Sequence, residues 1–128
     1  MLVHEHALIA LLWSETDEDG TPLDRGDYVV SDELRAMVRA DWIRFREQAE
    51  ALGFDAERDC ARMLHPDNEG CAWNAAAHDF IFTRNGAGTG FWDTGRWHEP
   101  WAGKLTALSR SFGELTCYVN SDGRIYGE

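Results

Sequence analysis

The stretch from His78 to Asp93 reads HDFIFTRNGAGTGFWD and holds four aromatic residues and three glycines. Drawn as an extended chain, it puts Phe80 and Phe82 on one side and Ile81 and Thr83 on the other, the period-2 pattern of a strand apolar on both faces. Asn85-Gly86 is the commonest hairpin cue, because both residues accept positive φ at low cost. Phe91-Trp92 then reads as the return strand. The stretch predicts a hairpin at the centre of a sheet and carries no chemistry of its own.

The rest of the chain must cover such a sheet. Leu8, Leu11 and Leu12 stand at helical spacing among good helix formers and predict a first helix over Val3 to Ser14. Glu15 to Asp27 holds six acids, two glycines and Pro22, the composition of a solvated loop. Ser31 followed by Asp32 and Glu33 marks a helix start, with a hydroxyl to cap a free amide and two carboxylates in the favourable field of the first turn. Leu34, Val38, Phe45, Ala49 and Leu52 follow on one stripe, with Met37 and Trp42 at its edges and Gly53 as the stop. Asp41 interrupts that stripe and is placed at its rim near Arg44. A short helix is predicted from Asp55 to Leu64, one or two turns over Ala72 to Ala77, and an aperiodic aromatic loop from Thr94 to Gly103. Leu105, Leu108 and Phe112 mark a further helix closed by Gly113. Leu115, Cys117 and Val119 alternate with Thr116 and Tyr118, Asn120 to Gly123 turns the chain, and Arg124 to Tyr126 returns as a second hairpin. The expected fold class is α+β in a single domain, 1–128: an antiparallel sheet of about three or four strands, from two C-terminal hairpins, packed against the long helix and shorter helices.

Composition bounds what such a domain does. At 128 residues with six Trp and six Phe, one apolar core can carry stability without cross-links. Three cysteines, none in a CxxC spacing, argue against a disulfide framework and fit reduced thiols in a cytoplasm. The longest apolar run, Ala7 to Trp13, falls far short of the ~20 residues of a membrane span. The net charge is −11 and unevenly spread: 17 acids face 7 basic residues up to position 69, and 6 face 5 thereafter. Such a field repels nucleic-acid phosphate and anionic lipid and attracts basic protein surfaces. Glu15, Asp17, Glu18, Asp19, Asp24 and Asp27 are therefore the candidate partner-binding residues.

Other constellations are incomplete. Gly86, Gly88 and Gly90 lack the helix that a phosphate loop needs immediately afterwards. Glu15, Asp17, Asp19 and Gly20 occupy the first positions of a calcium loop, but its twelfth position is Gly26 instead of the bidentate Glu. Cys60, His65, Cys71 and His78 are zinc-type residues whose spacings of 5, 6 and 7 do not match structural zinc clips. Thr83, Ser109, Ser111 and Cys60 are nucleophile types, yet no spacing brings one beside a base, and His78-Asp79 and His98-Glu99 are adjacent only in sequence. No catalytic residue, metal or cofactor follows. Trp92, Trp97, His98 and Trp101 form the alternative candidate, an aromatic-loop pocket of a small ligand-binding or hydrolase domain.

One resemblance adds context. The run His78-Asp79-Phe80, then Thr83-Arg84-Asn85-Gly86, Gly88 and Gly90-Phe91-Trp92-Asp93, resembles a motif of small uncharacterised proteins of tailed bacteriophages and prophages. Leu11 to Gly20 and the closing stretch Cys117 to Tyr126 also look like segments of those proteins. The chain departs from the pattern at Ile81 and Phe82, where a Trp and an aliphatic residue are usual, and at Ala87, where a His is common. The resemblance implies a phage or prophage accessory protein acting in a host cytoplasm and supplies no activity. Joined to the acidity, it leads to the expectation of a non-enzymatic protein that binds a basic host protein and inhibits a nucleic-acid-handling defence complex by occupying its basic groove.

Overall fold

A computed structural model of the chain describes residues 2–61, 71–93 and 95–128, with the side chain of Cys71 also left aside. The fold is α+β, a small sheet packed on helices. Helix α1 (Val3–Ser14) buries Ala7, Leu8, Ala10 and Leu11. Helix α2 (Asp32–Ala51) begins as its sequence demands: the Ser31 hydroxyl accepts the Leu34 N–H at 3.1 Å, with Asp32 and Glu33 in the first turn. Its buried stripe is Leu34, Val38, Trp42, Phe45 and Ala49. Trp42 thus belongs to the core and not to the edge, whereas Leu52 caps the helix and is exposed. Gly53 follows at φ 102°, the left-handed conformation that releases the chain from a helix.

The four-residue helix α3 (Ala56–Asp59) is all that appears of the helix expected from Asp55 to Leu64; positions beyond 61 lie outside the described residues. The central expectation is overturned. His78 to Arg84 is not a strand but the second half of a 14-residue helix, α4 (Cys71–Arg84). Trp73, Ala76, Ala77, Phe80, Ile81 and Arg84 recur at three- and four-residue intervals and are all buried, the spacing of one broad helical face. Phe80 lands on Phe45 of α2, ring centroids 4.4 Å apart, and Phe91 also stacks on Phe45 at 5.7 Å. Burial of this aromatic cluster outweighs the weak strand preference of a four-residue alternating run.

After Arg84 the chain turns without pairing into a hairpin. Gly86 lies at φ 62°, and the Asn85 side chain grips Leu115 instead, its Oδ1 accepting the N–H at 2.7 Å and its Nδ2 donating to the carbonyl at 3.1 Å. Thr83 Oγ1 accepts the Phe91 N–H at 3.1 Å and so seats Phe91 in the core. Helix α5 (Trp101–Arg110) starts inside the stretch expected to be loop and buries Leu105 and Ser109. Asp41, the apparent conflict on α2, is answered across the core. Arg84 donates to it at 2.9 Å, and its other guanidinium nitrogens reach the carbonyls of Gly113 (2.8 Å) and Phe112 (3.2 Å). Arg44, the expected partner, stands farther off at 3.6 Å.

The sheet has three strands in the order β1-β3-β2. Strands β2 (Cys117–Val119) and β3 (Arg124–Gly127) form the second expected hairpin, with Tyr118 opposite Tyr126. Strand β1 (Val29–Val30) adds to β3 in parallel, so the sheet is mixed and not purely antiparallel. Ile125 is buried beneath it, while Tyr118 and Tyr126 stack at 5.8 Å on the outer face. Among the described residues no helix is long and apolar enough to cross a membrane.

Candidate partner-binding groove

The acidic stretch is more ordered than its composition implies. Leu23 is buried, and its N–H returns to the carbonyl of Glu15 at 2.9 Å, so the loop closes on itself. Inside it the Asp17 N–H donates to the Thr21 carbonyl. The Asp17 carboxylate accepts the N–H groups of Asp19 (2.9 Å) and Thr21 (3.0 Å) and the Tyr28 hydroxyl (3.0 Å). The Thr21 N–H, with the other two donors, holds this carboxyl below the usual aspartate range. Asp17 therefore serves the loop's own geometry. Glu18, Asp19, Asp24 and Asp27 remain exposed.

Glu15 sits at the loop's base against β2. Burial raises its pKa, and the Cys117 N–H, donated to its carboxylate, opposes that rise. The loop consequently faces the strand. Between them lies a cavity of about 450 Å³ lined by Thr16 to Asp19 on one wall, Cys117 to Ser121 on the other, and Tyr28. Of the six acids singled out from the sequence, Asp17, Glu18 and Asp19 line this groove, Glu15 anchors its base, and Asp24 and Asp27 lie outside its lining. Cys117 brings no reactive thiol to it, since burial pushes its pKa up to about 12.

The aromatic-loop residues divide. Trp97 is a core side chain: its Nε1–H donates to the buried Asp79 at 2.7 Å, and its ring packs on Phe54 (5.5 Å) and Phe91 (5.7 Å). Trp101 joins the same Phe54 at 5.3 Å. Trp92 and His98 are exposed, and among the described residues no ring contact links either to Trp97 or Trp101. Three of the nucleophile types serve the structure. Ser109 and Ser111 donate to carbonyls of their own helix turns, and the Thr83 hydroxyl oxygen is the acceptor that holds Phe91. His78 lies beside His6, ring centroids 5.7 Å apart, while the neighbouring Asp79 points to Trp97.

Among the described residues no three His, Cys, Asp or Glu side chains stand where they would hold a metal ion. The zinc-type set includes His65 and the side chain of Cys71, which lie outside the described residues. Two parts of the groove were not legible beforehand: Tyr28, which ties the loop down, and the edge of β2. The alternation of Cys117 to Val119 signals a strand, but only tertiary pairing makes it an edge beside the acids.

Comparison of the chain with protein-family models, with curated proteins and with solved structures finds no match. What the chain defines is thus a class: a small α+β domain with an acidic groove built against a strand edge.

Proposed function

We propose that this chain is a non-catalytic binding protein that uses the acidic groove to engage a basic surface on a protein partner. The observation that carries this reading is the placement of Glu18 and Asp19, exposed on a loop held by its own hydrogen bonds, across a cavity from an open strand. Fixed charges beside a groove attract and orient a basic partner at a lower ordering cost than charges on a wandering loop. The charge distribution supports it, since the acidic excess is concentrated in the half of the chain that contains the loop. The resemblance to tailed-phage proteins makes the partner a host protein. A nucleic-acid-handling defence complex fits that chemistry, because its basic groove would accept an acidic surface in place of phosphate.

The test uses the Glu18→Gln/Asp19→Asn variant and spares Asp17, whose carboxylate the loop needs. Host lysate is passed over the tagged chain at low and at physiological salt, where the screening length is about 8 Å. We expect a basic host protein to be retained at low salt and lost by tenfold or more in the variant, a factor of ten being ~1.4 kcal/mol. Retention that is the same for both chains and indifferent to salt refutes the reading.

A further inference from the structure

The strand wall of the groove decides what kind of partner fits it. Thr116 exchanges two backbone hydrogen bonds with Glu128 (3.1 and 2.9 Å), and the Asn120 N–H donates to the Arg124 carbonyl at 2.9 Å. Thr116, Tyr118 and Asn120 therefore turn their backbone groups toward β3, and by the alternation of antiparallel pairing Cys117 and Val119 turn theirs away. The Glu15 carboxylate lies close enough to the Cys117 N–H to feel it. Among the described residues no hydrogen bond meets the Val119 N–H or carbonyl. Because β1 occupies the far side of β3, β2 is an edge of the sheet. The cavity is lined by five consecutive residues of that segment, Cys117 to Ser121, and by none of β3. A cavity over a sheet face is lined by alternate residues and takes in the neighbouring strand, so this one runs along the edge.

We infer that the groove binds an extended, lysine- or arginine-rich segment of a protein partner by strand addition to β2. The inference rests on the acidic-groove reading above and supplies its binding mode. An open strand edge is a template for an incoming chain, with main-chain hydrogen bonds giving affinity and alternate side chains giving selectivity. The chemistry of the occupant comes from the opposite wall. Asp17, Glu18 and Asp19 line the cavity and no basic residue does, so the only charged groups that side chains leaving the added strand on that side meet are carboxylates. Glu15 closes the Cys117 end, which leaves the Val119 N–H and carbonyl as the pair an added strand would engage.

The probe is a capped peptide of alternating lysine and valine, about seven residues long, the length of an ordinary strand. Its control carries a methyl group on every backbone nitrogen, with the same charge and no N–H to donate. We expect the parent peptide to bind the full chain, with the affinity falling steeply as salt is raised. The methylated control should bind at least tenfold more weakly, and the Val119 amide should become protected from hydrogen exchange in the parent complex. Absence of parent binding, equal binding of the two peptides, or an unprotected Val119 amide each overturns strand addition. The acidic-groove reading fails by a separate result: Glu18→Gln/Asp19→Asn leaving peptide binding and its salt dependence unaltered.

Discussion

Asp79 offers a quantitative test of the core. It is buried on α4, accepts the Trp97 Nε1–H at 2.7 Å and has the Arg96 guanidinium at 3.5 Å. Burial is the dominant influence and outweighs both partners, so its pKa rises from 3.8 to about 6, with the Asp93 charge adding in the same direction. The folded protein therefore holds this proton more tightly than the unfolded chain. Stability from this group is fully present below the unfolded pKa and is lost as pH rises through the folded one. A gap of roughly two pKa units at 1.36 kcal/mol each makes the loss about 3 kcal/mol. Asp79→Asn keeps a carbonyl oxygen for Trp97 and removes the titration. Urea unfolding of both chains, followed by Trp emission across about pH 4 to 8, isolates the effect, because the other titrating groups cancel in the difference. Wild type should lose about 2.5 kcal/mol relative to Asp79→Asn over that range, the loss accruing between about pH 4 and 6 and levelling off above that. A difference that stays flat within about 0.5 kcal/mol would sink the reasoning, and a wild type that gains on the variant would mean Arg96 stabilises the anion more than burial penalises it.

Three further substitutions probe the elements that replace the expected hairpin. A Cβ on Gly90 would stand 2.1 Å from Thr83 Oγ1, whereas one on Gly86, at φ 62°, meets nothing within 4 Å. Gly90→Ala should cost about 2 kcal/mol or more by dislodging the bond to Phe91, and Gly86→Ala about 1 kcal/mol from backbone strain alone, with thermal melting as the measure; the reverse order would contradict this geometry. Arg84→Lys replaces a three-way fork with a point charge and leaves the Phe112 and Gly113 carbonyls without their donors. It should cost about 2 to 4 kcal/mol, and a melting shift equivalent to under 1 kcal/mol would show that the fork contributes little.

The elements legible in the sequence are those whose signals are local. The stripe and cap of α2 name their own helix, Val3 to Ser14 has helical spacing, and the turn at Asn120 to Gly123 sets the β2–β3 pairing. Helix α4 fails for a physical reason. Phe80, Ile81, Thr83 and Arg84 are all buried, so the end of this helix shows no polar face, and over so few residues it mimics a strand apolar on both sides. The Asn85-Gly86 cue marks a turn but not a hairpin, because the partner of Asn85 is Leu115, thirty positions away. Strand β1 is two residues long and pairs in parallel with a segment near the end of the chain, a contact no local pattern announces. Likewise Trp97 reads as a loop aromatic until Asp79 and Phe54 are found around it.

The groove follows the same division. Its acids were legible as composition, yet composition gave them a solvated loop, and a solvated loop has no fixed position from which to select a partner. What fixes it is tertiary: Leu23 inserted in the core, the Glu15 carboxylate half-buried beside the Cys117 N–H, and Tyr28, from the approach to β1, donating to Asp17. Together these anchors hold Glu18 and Asp19 on the wall of the groove that faces β2. In the proposed binding mode charge and edge act on different properties of the partner. The carboxylates act through a field that extends about a screening length and choose sign, while the backbone of Val119 acts only at hydrogen-bond distance and requires an extended chain. A partner that is basic but folded into helices satisfies the first and not the second. In the proposed binding mode the arrangement therefore selects for positive charge carried on an extended segment, a narrower requirement than the net charge of −11 would impose on its own.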